Sequence, residues 1–204
     1  MSHLLIQQCY AGVVPCTVLA LVFLGRNPHP GIRRKTASLL LAAFALLVIP
    51  IKGWNAAAWI RVLEPNPSFT LTGLLLVALG SRLSGKGLFR KQDWRTAWIF
   101  GAIAGIVLYP MGLGLTRIDP YGWGWGAVLP LITAVISSLL LLRGNRFGAL
   151  LLIPFAGWVL GLQESTNFWD TLIDPFYAGG SLVAGLIALV KARRPLTSGT
   201  RVID

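Results

Sequence analysis

Long apolar runs without internal charge recur along the whole chain, and they constrain its fold more than any other feature. Seven such runs are present, at residues 4–24, 36–52, 67–82, 96–115, 121–142, 147–163 and 175–190. Inside a bilayer each backbone amide and carbonyl must find its partner within the spanning segment, and a helix of about 20 apolar residues achieves this. The runs therefore predict an all-α fold, a transmembrane helical bundle of about seven spans. Since no long polar segment remains, we expect residues 1–204 to form a single integral membrane domain.

The composition agrees with a membrane protein and argues against a nucleic-acid partner. Hydrophobic residues make up 55% of the 204 positions and charged residues only 12%, about half the fraction usual in soluble domains. Although the formal net charge is +11, the basic residues stand in short clusters between apolar runs and do not form one basic face. We therefore expect no binding to nucleic acid.

The basic residues fall in alternate loops, which predicts the orientation of the chain. Fifteen of the 18 lysines and arginines follow the first, third, fifth or seventh run. Because loops rich in lysine and arginine stay in the cytoplasm, the N-terminus is expected outside and the C-terminus inside. The short loops and this charge asymmetry favour a multi-pass protein of the bacterial inner membrane. The exceptions, which would lie on the outer side, are Lys52, Arg61 and Arg117.

Three Asx-Pro pairs precede the runs that would cross from outside to inside. They are Asn66-Pro67, Asp119-Pro120 and Asp174-Pro175. An Asx side chain accepts hydrogen bonds from the first amides of a helix, and proline suits the first helical position. The pattern predicts one lead helix followed by three helical hairpins, with Asp119 and Asp174 as N-caps. Because asparagine keeps the capping oxygen, Asp→Asn should be tolerated at both positions.

Acidic residues concentrate on the predicted outer side. Five of the seven acids lie there, namely Glu64, Asp119, Glu164, Asp170 and Asp174. No ionisable residue falls near the middle of a run, which argues against a proton-coupled or ion-coupled transporter. Binding or chemistry is therefore expected at the outer surface.

The last outer loop, residues 164–174, has apolar side chains at a spacing of four, which predicts a short helix lying in the membrane interface. The pairs are Phe168 with Leu172 and Trp169 with Ile173. Asn167 would cap this helix with Asp170 in the reciprocal position, and Asp170 and Thr171 would be the more exposed residues. On this interpretation Asp170 and Asp174 are structural caps.

The alternative interpretation makes the same loop a catalytic or binding site. Glu164, Asp170 and Asp174 are then the catalytic candidates, joined by Asp119 in one carboxylate cluster. Such a cluster can bind a divalent cation through oxygen ligands, or divide into an acid and a base when proximity separates the pKa values. No specific metal motif is present in the sequence, so we expect neither a metal nor a cofactor.

Two arginines on the predicted outer side lie near an acid in sequence, Arg61 near Glu64 and Arg117 near Asp119. A local ion pair is one interpretation, although exposed pairs contribute little stability. The other is a guanidinium that binds a phosphate or carboxylate, as on a lipid head group. Both arginines are therefore candidate ligand-binding residues, together with Asp119.

Tryptophans also gather on the predicted outer side, where an aromatic belt at the membrane interface explains most of them. The candidates for ligand contact are Trp123, Trp125 and Trp169. Residues 121–126 alternate aromatic residues with glycine. If this segment is extended, the rings share one face as a platform for a sugar or a protein partner, whereas if it is helical the glycines permit close packing.

Small-residue spacings predict close approach of helices. They are Gly101-x-x-x-Gly105 and Gly157-x-x-x-Gly161. Such spacing brings helix backbones together either within the bundle or between copies of the chain.

These features support three hypotheses for the function. The first is a non-catalytic accessory or assembly subunit whose outer face binds a membrane or periplasmic enzyme, or a lipid-linked or glycan ligand. The second is an outer-leaflet hydrolase or transferase that acts on a lipid-linked substrate by carboxylate catalysis. A small channel or flippase ranks third, because no polar pathway is visible within the apolar runs. The expected partners are membrane lipids, a membrane or periplasmic protein and further copies of the chain.

Overall fold

A computed structural model describes residues 2–24, 31, 35–36, 40, 67–115 and 117–193. In chain order the described helices are α1 (Ser2–Leu24), α2 (Phe69–Ser84), α3 (Lys91–Gly112), a 3-10 helix (Tyr121–Trp125), α4 (Val128–Leu142), α5 (Arg146–Leu150), α6 (Leu152–Val159), α7 (Phe168–Leu172) and α8 (Pro175–Arg193). These residues include no β-strand, so the predicted all-α class is confirmed for them. Arg61, Glu64 and Asn66 lie outside the described residues.

The number of membrane spans stays a prediction. Among the described helices, α8 alone is both long and apolar enough to cross a bilayer, over Pro175–Ala192. Shorter apolar helices occupy Val13–Val22, Phe69–Ser84, Val128–Leu142 and Arg146–Val159. Apart from Thr36 and Leu40, the predicted run 36–52 falls outside the described part of the chain.

Among the described helices, α3 and α8 pack closely against each other. A Cβ added at Gly105 would lie 2.7 Å from the Cβ of Ala178, and one at Gly101 would lie 2.3 Å from Ser181 Oγ. Glycine at these positions therefore lets the two helices approach, as the spacing predicted. Of the second predicted pair, Gly157 packs against the ring of Phe69, 2.2 Å from its hypothetical Cβ, whereas Gly161 lies beyond the end of α6 with a φ of 59°.

The helix ends collect at two opposite ends of the bundle. At one end the Ser68 amide, before α2, donates to the carboxylate of Asp174, before α8, at 2.8 Å. At the other end the Arg146 amide, opening α5, donates to Asp93 in the first turn of α3 at 3.1 Å. We call the first the acidic end, which holds Asp119, Glu164, Asp170 and Asp174. The second is the basic end, which holds Arg82, Lys86, Arg90, Lys91, Arg95, Arg143 and Arg146.

Asp93 organises the basic end. Its carboxylate is fully buried and accepts the amides of Arg90 and Arg146, with the Arg90 Nε 3.4 Å away. Burial raises the pKa of this carboxyl, but the two amides and the Arg90 guanidinium outweigh that effect, and the pKa lies below its ordinary value. The carboxylate therefore joins the starts of α3 and α5 in its charged form.

Two helices begin several residues away from the start of their apolar run. The helix predicted over 121–142 begins only at Val128, because the glycine-rich stretch before it forms a separate 3-10 helix. The helix that contains the apolar run 96–115 begins at Lys91, because Asp93 accepts the amide of Arg90 in a capping box.

Candidate functional site at the acidic end

The short helix predicted in the last loop is present as α7, but it is more buried than expected. Asn167 Oδ1 accepts the Trp169 amide at 2.9 Å, so the predicted cap is confirmed. Thr171, expected on the exposed side, is fully buried and donates to the Phe168 carbonyl. The spacing pattern marked one apolar face, whereas α7 packs into the core on nearly all sides.

Asp170 does not make the reciprocal capping hydrogen bond predicted for it. Its Oδ2 accepts the hydroxyl of Tyr121 at 3.1 Å, and the Asn167 amide donates instead to Ser165 Oγ. Burial, followed by the charge of Asp170, raises the pKa of Tyr121. The phenol therefore stays protonated and holds the Asp170 carboxylate at the edge of the 3-10 helix.

Asp174 has the predicted cap geometry and a second bond that the sequence did not indicate. Its Oδ1 accepts the Tyr177 amide in the first turn of α8 at 2.8 Å. Its Oδ2 accepts the Ser68 amide at the same distance. The side chain is only 2% exposed, so both oxygens are committed to backbone amides inside the fold.

Asp119 is not the N-cap of the long helix that follows it, so that prediction is wrong. Its Oδ1 accepts the Tyr121 amide at 2.9 Å, which closes the turn before the 3-10 helix. The N-cap residue of α4 is Ala127, which has no side-chain cap. Asp119 is exposed.

The aromatic-glycine segment is helical, so the extended platform of rings does not form. Gly124 is buried against α7, and a Cβ there would lie 1.8 Å from Asn167 Oδ1. Trp169 is also buried, with its Nε1 donating to the Pro120 carbonyl at 2.7 Å. Trp123 and Trp125 remain exposed. The segment therefore packs closely through its glycines, as the helical alternative predicted.

A cavity of about 730 Å³ lies at the acidic end between the last turns of α3 and the start of α8. Its lining residues are Leu108, Tyr109, Met111, Gly112, Leu113, Gly114, Arg117, Asp119, Tyr121, Asp170, Ile173, Asp174 and Pro175. The structure thus brings four sequence candidates together, Arg117, Asp119, Asp170 and Asp174. Four other sequence candidates do not line this cavity, namely Glu164, Trp123, Trp125 and Trp169.

Within the described ranges, no carboxylate lies within 4.0 Å of the guanidinium of Arg117. The ion pair present in those ranges joins Arg90 and Asp93. The expected local pair between Arg117 and Asp119 is therefore not formed there. No group of three or more His, Cys, Asp or Glu side chains that could hold a metal ion was found among the described residues. Among the described residues, the cavity thus presents the guanidinium of Arg117 without a carboxylate partner, together with carboxylate acceptors above apolar walls.

Tyr121 is the site residue that sequence analysis missed, because an aromatic belt explained it equally well. Its contact with Asp170 joins residues 49 positions apart, and nothing local in the sequence indicates that distance. Comparisons of the chain with protein-family profiles, with curated proteins and with solved structures found no match.

Proposed function

We propose that this chain is a multi-pass protein of the bacterial inner membrane, with about seven spans and its acidic end outward. Large apolar side chains lie exposed along α3, α4 and α8, among them Ile106, Val135 and Leu186. Soluble monomers rarely expose such surfaces, whereas a bilayer would cover them. The separation of basic from acidic residues between the two ends supports this orientation.

At its acidic end the protein binds the head group of a lipid-linked glycan and does not transform it. Arg117 carries this proposal, because it lines the cavity without a carboxylate partner in the described ranges. A guanidinium binds phosphate through paired hydrogen bonds. Asp119 and Asp170 supply acceptors for sugar hydroxyls, and the exposed side chain of Leu113 offers apolar surface for the lipid.

The bonding of the carboxylates favours binding over catalysis. Both carboxylate oxygens of Asp174 accept hydrogen bonds from backbone amides, and Asp170 already accepts one from the hydroxyl of Tyr121. Glu164 lies outside the cavity lining. A non-catalytic subunit that presents a lipid-linked ligand to a membrane or periplasmic enzyme is therefore the function best supported.

Photocrosslinking at the cavity tests this proposal. p-Benzoylphenylalanine replaces Leu113, which lines the cavity and is 77% exposed, or Val159, which does not line it and is 76% exposed. The probes are phosphatidylinositol, with a phosphate and ring hydroxyls, phosphatidylcholine, with a phosphate and a quaternary ammonium but no hydroxyl, and monoglucosyl diacylglycerol, with sugar hydroxyls and no phosphate. We expect position 113 to crosslink phosphatidylinositol most strongly, and position 159 to show no preference.

The second arm of the crosslinking test is Arg117→Gln. Its control is Arg143→Gln, because Arg143 is also exposed and lies at the basic end. Removing the guanidinium should lower crosslinking of phosphatidylinositol at position 113 by about tenfold or more, and leave monoglucosyl diacylglycerol unchanged. Arg143→Gln should change neither. Equal crosslinking of phosphatidylcholine and phosphatidylinositol, or equal effects of the two arginine variants, would overturn the proposal.

A further inference from the structure

A second cavity, of about 660 Å³, forms a groove between α3 and α8 at the basic end. Trp94 and Trp98 form its aromatic wall on α3, with their rings stacked at a centroid distance of 5.9 Å. Ala184, Gly185 and Ala188 form the opposite wall on α8. The groove follows α3 from Lys91 to Ala102, about 16 Å at the helical rise, which suits an extended acyl chain.

The mouth of this groove is positively charged. Lys91 and Arg95 are exposed lining residues one helical turn apart, and neither has a carboxylate within 4.0 Å among the residues that the structure describes. The nearby acid, Asp93, is buried and bonded to Arg90 and Arg146. The two cations are therefore available to an anionic group.

The inner end of the groove meets the close contact between α3 and α8. Ser181 lines it, is fully buried, and has an Oγ without a hydrogen-bond partner within the described ranges. Buried polar atoms in packed helix contacts normally find partners. The Ser181 hydroxyl packs against Gly101 of α3, so this helix contact closes the inner end of the groove around an unsatisfied polar atom.

We propose that this groove binds one anionic phospholipid of the cytoplasmic leaflet, its phosphate between Lys91 and Arg95 and one acyl chain between the Trp94–Trp98 wall and α8. Basic pockets between helices on that side of a membrane suit anionic head groups. A second copy of the chain fits less well, because a two-fold contact through this groove would bring like charges together. The inference rests on the proposed membrane placement, but not on the ligand of the acidic-end cavity.

Native mass spectrometry of the protein released from micelles tests the charged mouth. Phosphatidylglycerol and phosphatidylcholine with identical acyl chains are the probes. We expect wild type to retain one phosphatidylglycerol with about a tenfold preference, and Lys91→Gln with Arg95→Gln to abolish that preference. The matched control is Lys86→Gln with Arg143→Gln, which removes two exposed cations of the same end outside the groove. An equal loss in the control would overturn the proposal in favour of diffuse attraction.

Filling the groove tests its apolar part. A Cβ at Gly185 meets nothing within 4 Å, so Gly185→Leu should fold normally while its side chain occupies the groove. Gly180→Leu is the control, because Gly180 is equally open on α8 and lies outside the groove lining. We expect Gly185→Leu alone to lower phosphatidylglycerol retention by about tenfold.

Unchanged retention of phosphatidylglycerol in Gly185→Leu would overturn the proposal. Loss of a dimer mass in that variant would also overturn it, because the groove would then bind a second copy of the chain. Failure to retain any lipid in wild type would contradict the membrane placement that underlies both proposals.

Discussion

The Ser68 amide donates a 2.8 Å hydrogen bond to Asp174 Oδ2 across 106 positions of sequence. Asp174 Oδ1 accepts the Tyr177 amide at the same time. One buried carboxylate therefore fixes the start of α8 and the start of α2. This double role changes what substitution at Asp174 should do.

Asp174→Asn should destabilise the protein, although the local cap pattern alone predicts that asparagine is tolerated. The amide side chain keeps one acceptor but turns an N–H₂ group toward either the Ser68 or the Tyr177 amide. We expect a loss of about 1–3 kcal/mol in unfolding free energy, and a larger loss for Asp174→Ala. Asp119→Asn is the control, because Asp119 is exposed and accepts one amide. Thermal unfolding in detergent measures all three variants, and equal midpoints for Asp174→Asn and wild type would contradict this assignment.

Asp93 should make stability depend on pH in the acidic range. Burial raises its pKa, but the Arg90 and Arg146 amides and the Arg90 guanidinium bring the net pKa below the ordinary value. A carboxyl whose folded pKa is depressed stabilises the fold above its unfolded pKa, about 3.9, and that contribution is lost as pH falls through the folded pKa. Asp93→Asn should therefore be less stable than wild type at neutral pH, with a difference that shrinks below about pH 4. A constant difference between pH 3 and pH 7 would argue against this linkage.

The features that sequence patterns predicted correctly are those that depend on residues close together in the chain. Asn167 was predicted to cap α7 because capping depends on residues within one turn, and Gly101 and Gly105 were predicted at a close helix contact because their spacing places both on one face. The bonds of Tyr121 to Asp170 and of Ser68 to Asp174 were not predicted. They depend on which helix ends meet in three dimensions, and that arrangement follows from packing of the whole bundle.

The start of α4 shows a second reason why the sequence did not predict every feature of the fold. Residues 121–126 are apolar enough to extend the following run, and hydropathy alone joined them to it. Glycine weakens helix formation, and within the 3-10 helix Gly124 packs against Asn167 with no room for a Cβ. Composition therefore predicted the presence of a helix correctly but placed its start too early.

Cysteine accessibility should reveal the orientation in the membrane. In a background lacking Cys9 and Cys16, single cysteines replace Ser84 at the basic end and Thr166 at the acidic end, both of which are exposed. Because basic loops stay in the cytoplasm, a membrane-impermeant thiol reagent on intact cells should label position 166 and not position 84. Permeabilised cells control for reactivity, since both positions should then react. Labelling of position 84 alone in intact cells would invert the proposed topology.

Ser137 and Ser181 should respond in opposite ways to the same substitution. Both side chains are fully buried, but Ser137 donates to the Gly148 carbonyl at 2.7 Å, whereas Ser181 Oγ has no partner in the described part of the chain. Ser137→Ala leaves a buried carbonyl without that donor and should lower the unfolding free energy by about 1–3 kcal/mol. Ser181→Ala removes a hydroxyl whose desolvation is not compensated, so it should leave stability unchanged or raise it. Unfolding midpoints of the two variants, measured in one detergent without added lipid, compare them directly. A loss for Ser181→Ala as large as that for Ser137→Ala would mean that its hydroxyl is bonded in the folded protein, and the α3–α8 groove would then have no unsatisfied polar atom at its inner end.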